Sequence, residues 1–259
     1  MHARTLPARH GILWLLAGFA LFRRNPPLLT VLTFAYLLVV VLINLVPMIG
    51  PFLLPLALPT LTAMLGNGCQ AIERNNLFTS EDLVRHLPER RNELLRLGGW
   101  HLVGSTLLVI VGLAIGTDLA IDPEMSQEQA MDLLTNLSVL LALSSPLLMA
   151  FWFAPLLTLW DGVPALKAVF FSFVACWRNW RAFTVYGLMV MVVGMFIPAL
   201  LLLVAGSISG LFAQVLAMAL RMVLVFVMAP MLVASVYLSY RDVFRARPAE
   251  PAASIDVHA

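Results

Sequence analysis

Charge is scarce in this chain. Only 12% of its 259 residues are Asp, Glu, Lys or Arg, against about 25% in an ordinary soluble domain. Hydrophobic residues make up 61% and the mean hydropathy is +0.93. So little polar surface cannot coat a fold in water, which excludes a soluble globular domain and leaves the bilayer as the solvent. Cysteine is scarcer still. Cys69 and Cys176 stand far apart, with no pairing pattern that would mark a zinc or redox site. Both fall on the side that the charge pattern makes cytoplasmic, where thiols stay reduced, so they read as packing residues. The net charge of +2 is too small to argue for nucleic acid as a partner. No metalloprotease, hydrolase-elbow or phosphate-loop motif occurs, and no carboxylate pair lies inside an apolar stretch. We therefore expect no enzyme activity, no catalytic residue, no cofactor and no metal. The first apolar run, residues 11–22, is short and leads into Arg23-Arg24-Asn25-Pro26 instead of a small-residue cleavage site. No cleavable signal is expected from it.

What is present is a series of long uncharged runs. A helix needs about 20 apolar residues to cross the hydrocarbon core. Residues 27–70 carry no charge and are long enough for two spans, with the turn signal Pro47-Met48-Ile49-Gly50-Pro51 between them. This gives spans at 28–46 and 52–72. Residues 98–117 form a third span, and 138–160 a fourth. From 182 to 240 the only charge is Arg221, which allows spans at 183–203 and 222–240. The expected fold class is all-α, a polytopic transmembrane helical bundle of about six spans. Residues 1–243 form a single transmembrane domain, and 244–259 a disordered cytoplasmic tail.

Basic residues favour the cytoplasmic side. Segments 1–27, 73–97, 161–181 and 241–259 hold every Lys and Arg except Arg221. The 118–132 loop has Asp118, Asp122, Glu124, Glu128 and Asp132 and no basic residue. Both termini are thus expected on the cytoplasmic face of a bacterial inner membrane. Trp14, Trp100, Trp160, Trp177 and Trp180 fall near the same boundary, where an aromatic belt belongs.

A repeat runs through these elements. Phe19, Arg24 and Asn25 recur as Phe173, Arg178 and Asn179, and Thr30-Val31 recurs as Thr184-Val185 at the same offset. Each copy is a short apolar segment ending in basic residues, followed directly by a span. A helix expected at 81–97, capped by Thr79 or Ser80, occupies the same place before span 3. Three units follow, at 11–72, 80–160 and 164–241. Each has an interfacial helix, an outward span and an inward span containing Pro59, Pro155 or Pro230. Similar composition alone could also produce such likeness.

Several residues merit a functional reading beside a plain one. Arg221 is a charge within an apolar run, which marks a site by default. Yet residues 222–240 already supply about 28 Å of helix, at roughly 1.5 Å per residue. That places Arg221 at the far interface, as a snorkelling side chain. The sharper alternative pairs it with an acid of the 118–132 loop, or sets it in a wet pocket with Gln214. Pro59, Pro155 and Pro230 kink their spans. Interrupted spans can mark a transport site, but prolines are also tolerated for packing alone. His101, beside Trp100, reads as structural rather than as a ligand. Gly112 with Gly116, and Gly206 with Gly210, permit close helix contact and say little more. Segments 11–24 and 164–180 join Trp, Phe and Leu to terminal basic residues. Such helices lie among headgroups, and their arginines favour anionic lipid; simple anchoring of the bundle is the plainer reading.

The run Gly18-Phe19-Ala20-Leu21-Phe22-Arg23-Arg24-Asn25-Pro26, then a span, then Pro47-Met48-Ile49-Gly50-Pro51 resembles the N-terminal signature of an uncharacterised family of bacterial inner-membrane proteins. The likeness in layout covers most of the chain; the specific motif lies in the first 70 residues. More distantly, the Phe/Arg/Asn/Pro pattern is similar to the membrane domain that accompanies some glycerophosphodiester phosphodiesterases, whose soluble catalytic domain has no counterpart in this sequence. The resemblance implies location and architecture and supplies no site residue.

The expected function is that of a non-enzymatic membrane component that handles or organises lipid or a partner protein. The bilayer itself, with anionic lipids at the cytoplasmic face, is the expected partner. The alternative is a transporter or channel for a small or amphipathic solute. The orientation has a direct check: a reporter fused after Ala259 should behave as cytoplasmic, and a periplasmic signal would overturn the topology.

Overall fold

The computed structural model describes residues 3–74, 78–115 and 126–245. Among them every regular element is helical. In chain order these are α1 (His10–Arg24), α2 (Pro26–Asn44), α3 (Gly50–Glu73), α4 (Ser80–Val84), α5 (Leu87–Ile115), α6 (Gln127–Trp152) and α7 (Ala154–Trp160). There follow α8 (Ala165–Arg178), α9 (Trp180–Met191), α10 (Ile197–Ile208), α11 (Gly210–Val223) and α12 (Ala229–Phe244). Wide π turns at Val192–Phe196 and Leu224–Met228 join α9 to α10 and α11 to α12.

Six helical runs are long and apolar enough to cross a membrane: Pro26–Asn44, Gly50–Glu73, Leu87–Ala114, Gln127–Trp160, Trp180–Ile208 and Gly210–Phe244. Each overlaps one expected span. Their outer surfaces are bare hydrocarbon: Leu113, Leu203 and Leu211 are 76%, 73% and 72% exposed. Contiguous apolar surface of this kind is not stable against water.

The boundaries differ from expectation in informative ways. The last two spans reach each other through a single residue, Ser209, whose hydroxyl caps α11 by accepting from the Phe212 N–H at 3.5 Å. The helices therefore run well past residues 203 and 222. Before span 3, residues 87–97 are no separate interfacial helix. They continue α5 without a break, and only the five residues of α4 stand apart. The first and third repeat units do match: a helix of 15 or 14 residues, one Asn, then a span. Helix α12 runs to Phe244, one residue beyond the expected boundary, while the tail from 246 onward and the acids Asp118, Asp122 and Glu124 lie outside the described residues.

The described residues fall into two compact units. One contains residues 3–30, 72–74 and 178–245. Here α1 lies against α9 and α12, because two glycines on one of its faces let backbones touch. A Cβ at Gly11 would stand 2.3 Å from the Ala182 carbonyl oxygen, and one at Gly18 would stand 2.6 Å from that of Met231. Trp14 fills the space between these contacts, 1% exposed, with Phe183 and Tyr186 around its ring. Its indole N–H donates to Asp242 Oδ2 at 3.2 Å. Arg241 joins Asp242 at 3.0 Å, and also Glu73, which accepts from the Tyr237 hydroxyl. Asn179 is likewise buried, taking the Leu6 N–H at 2.8 Å and donating to the Arg4 carbonyl at 2.9 Å.

The other unit contains residues 31–71, 78–115 and 126–177. Ala63, Leu94 and Leu159 form its packed centre, with Leu87 and Trp160 against them. The Trp160 indole donates to Asn67 Oδ1 at 2.8 Å, and the Asn67 amide donates to the carbonyls of Leu83 and Arg85, each at 3.0 Å. Trp14 and Trp160 are thus held inside their units by hydrogen bonds. Trp100, Trp177 and Trp180, each about half exposed or more, are the residues able to form the belt. At α4, hydrogen bonds from the Thr79 backbone and hydroxyl hold the Asp82 carboxyl below the usual carboxylate range, with Arg85 adding to the effect.

The glycine contacts are the firmest packing requirement in the first unit. Gly18→Leu should expel α1 from α9 and α12, since backbone cannot retreat as a side chain can. We expect loss of monodisperse protein on size exclusion in detergent, while Gly206→Leu, at a glycine with open space around it, leaves the profile unchanged.

Candidate functional site

Two of the three sequence-marked prolines, Pro59 and Pro230, share a chemistry that the sequence alone did not reveal, and a related break lies beside Pro155. Proline has no N–H, so it cannot bond the carbonyl four residues earlier. In hydrocarbon no water replaces that donor, and neighbouring protein must supply it. In α3, Pro59 leaves the Pro55 carbonyl, and a ring nitrogen of His101 on α5 reaches it at 3.2 Å. The tautomer with hydrogen on Nδ1 is the one that bonds here. His101 also packs edge-on to Phe151. In this position it plugs the carbonyl that Pro59 leaves open.

At Pro155 the chain breaks between α6 and α7. The Phe153 N–H, which would bond Met149 in a continuous helix, instead donates to Ser172 Oγ at 2.9 Å. Ser172 in turn donates to the Met149 carbonyl at 2.7 Å. A hydroxyl from α8 is thus inserted into the ladder, a recognised cause of a sharp kink. Phe153 and Ser172 are fully buried.

In the last span Pro230 follows the π turn Leu224–Met228, and the Thr30 hydroxyl of α2 approaches the Phe226 carbonyl at 3.4 Å. The same grammar occurs one span earlier, where Pro198 follows the π turn Val192–Phe196. Widening the turn relieves the clash of the proline ring with the preceding backbone. The two π turns also meet: a Cβ on Gly194 would stand 2.8 Å from Met228 Cε.

Arg221 and Gln214 lie on α11, and both are exposed. Arg221 makes no ion pair among the described residues. Of its proposed acidic partners, Asp118 and Asp122 lie outside the described residues. The pair Gly206 and Gly210 makes no close contact. Gly206 and Gly210 have open space around them, and Gly116 is outside the described residues.

The second unit contains an apolar groove of about 450 Å³. Trp100, Val103, Leu107 and Val111 of α5 form one wall, and Leu143 and Leu147 of α6 the other. Leu166 and Val169 of α8 close one end, and no charged side chain enters the lining. Helix α8 is positioned there by Glu93, whose Oε2 accepts the first N–H of the helix, from Ala165, at 2.9 Å. Its buried stripe is small: Ala165, Ala168, Ser172, Ala175 and Cys176. Burial pushes the Cys176 thiol up, so it stays protonated and inert, as expected of a packing residue.

Comparison with known proteins decides the family. A probable inner membrane protein of Burkholderia thailandensis is 34% identical over 265 residues, covering 94% of this chain and 94% of that protein. The chain belongs to this family of inner-membrane proteins. Among its described residues this inner-membrane protein has six helices long and apolar enough to span the bilayer. No family model matches it, and no solved structure does. The likeness to the phosphodiesterase membrane domain finds no support among these comparisons.

The plug residues give a graded test. Ser172→Ala strands the buried Phe153 N–H and Met149 carbonyl and should cost about 1–3 kcal/mol. Thr30→Val removes a longer, exposed bond and should cost no more than about 0.6 kcal/mol, the average for interhelical bonds in lipid. Thermal unfolding in detergent reads both; equal effects would contradict this ranking.

Proposed function

We propose that this inner-membrane protein is a non-enzymatic component that holds and organises lipid at the cytoplasmic leaflet, with both termini in the cytoplasm. The observation that carries the reading is the two-sided character of α1 and α8. On α1, Gly11, Trp14, Leu15, Gly18, Leu21 and Phe22 are buried. The remaining surface still exposes Ile12, Leu13, Leu16 and Phe19, and the helix ends in Arg23 and Arg24. On α8, Leu166, Phe170 and Trp177 are exposed beside Lys167 and Arg178.

A helix apolar on both sides has no stable place at a water surface. With cations at its end it suits the boundary between acyl chains and headgroups, and it attracts anionic lipid. The fifteen basic residues flanking the spans on one side support the orientation. The non-enzymatic character rests on the sequence, where no nucleophile–base or metal motif occurs.

A second reading, passage of a small amphipathic solute, draws support from the facing π turns at Gly194 and Met228. Such turns are frequent at functional sites. Against it stands the lack of Asp, Glu or Lys away from the ends of the spans, groups that coupled carriers place near the midplane.

Lipid retained through purification in mild detergent distinguishes the readings. Anionic phospholipid should be enriched over its share of the source membrane. Arg23→Gln with Arg181→Gln, the latter in the first turn of α9 over the Trp180 ring, should lower that enrichment more than about tenfold, at about 1 kcal/mol per basic residue. Lipid retained in the proportions of the source membrane would refute the lipid reading.

A further inference from the structure

The groove between α5, α6 and α8 has a length, a chemistry and a charged end that together specify an occupant. Along α5 its wall runs from Trp100 to Val111. At roughly 1.5 Å per residue this is about 16 Å, close to half of a hydrocarbon core about 30 Å thick. The groove is therefore one leaflet deep. Trp100 stands at its outer end, 46% exposed, where a belt tryptophan meets the headgroups. Its deep end, by Val111 and Leu143, lies toward the bilayer midplane. The lining is aliphatic and aromatic throughout, so a polar solute would lose its hydration there without compensation.

Basic side chains adjoin the Trp100 end. Arg96 is one helical turn before Trp100 on the same face of α5, and Lys167 directly follows the lining residue Leu166 on α8. Arg96 bonds Glu93 at 2.7 Å through one nitrogen and is 70% exposed, which leaves other guanidinium donors turned outward. Glu93 is already engaged by Arg96 and by the Ala165 N–H.

We propose that this groove binds one acyl chain of an anionic phospholipid of the cytoplasmic leaflet, with Arg96 and Lys167 holding its phosphate-bearing headgroup. The proposal rests on the lipid-organising reading above and adds a specific site to it. The chain gains close packing against a fixed apolar wall but little from leaving lipid, so the two cations supply the selectivity and much of the affinity. The small side chain of Ala150, in the lining, leaves room that a larger residue would take.

Native mass spectrometry with added phosphatidylglycerol or phosphatidylcholine tests the site. The wild-type protein should hold one phosphatidylglycerol at least about tenfold more tightly than phosphatidylcholine, a difference of about 1.4 kcal/mol. Arg96→Gln with Lys167→Gln should abolish that preference and leave phosphatidylcholine binding unchanged. Ala150→Phe should remove the tight lipid while sparing the general enrichment that depends on Arg23 and Arg181. Tight binding unaltered by Ala150→Phe would overturn the site and leave the lipid-organising reading standing.

A second measurement needs no disruptive variant. Phosphatidylglycerol with brominated chains, a minor component of phosphatidylcholine nanodiscs, should quench a fluorescence component that Trp100→Phe deletes. Brominated phosphatidylcholine at the same fraction should quench that component far less. Equal quenching by the two lipids would overturn the proposal.

Discussion

A backbone carbonyl in hydrocarbon must find its donor within the protein, and this constraint organises the molecule. Alanine-like spans meet it automatically through the helical ladder. Spans broken by proline do not, and near Pro59, Pro155 and Pro230 a polar side chain from a different helix bonds the interrupted ladder. His101 serves Pro55, Ser172 bridges Phe153 to Met149, and Thr30 approaches Phe226. The plugs convert local defects into tertiary ties. In lipid, where apolar side chains gain little by leaving the solvent, such ties and close backbone contacts determine which helices pack together.

Polar knots do the same work nearer the charged ends. Trp14, Glu73, Tyr237, Arg241 and Asp242 lock the first unit, and Asn67 with Trp160 locks the second. Asn67, Asn179 and Trp14 are each buried and each matched, as burial requires. The outer surface is left to Leu, Val, Phe and Met, which lipid solvates without cost. The amphiphilic character of the protein then concentrates at α1, α8 and the Trp100 end of the groove, where cations and exposed apolar side chains adjoin.

Much of this architecture is legible in the sequence because hydropathy and length are one-dimensional signals. Uncharged runs mark all six spans, and Pro47 to Pro51 marks the first hairpin. The Asn that ends each interfacial helix is visible as a repeat. The plugs are not legible in the same way. Ser172 reads as an ordinary small residue on an apolar helix, and nothing near it signals a partner at Phe153. His101 stands 46 residues from the carbonyl it serves. Such pairings depend on which helices become neighbours, and periodicity does not encode that. Position alone does not separate Trp14 and Trp160 from the other tryptophans, since tryptophan near a boundary suits both a lipid belt and an internal donor. The prolines stand out in the sequence, but their meaning as tie points needs the partners. The groove depended on α6 and α8 meeting α5, and only its Trp100 had drawn notice.

The most direct check of the central claim is amide hydrogen exchange at Phe153 in the folded protein. With its N–H bonded to the Ser172 hydroxyl, that amide should exchange as slowly as those of the intact helix on either side of the break. Exchange at the rate of an open amide would contradict the account, for the break would then be filled by water and not by the protein.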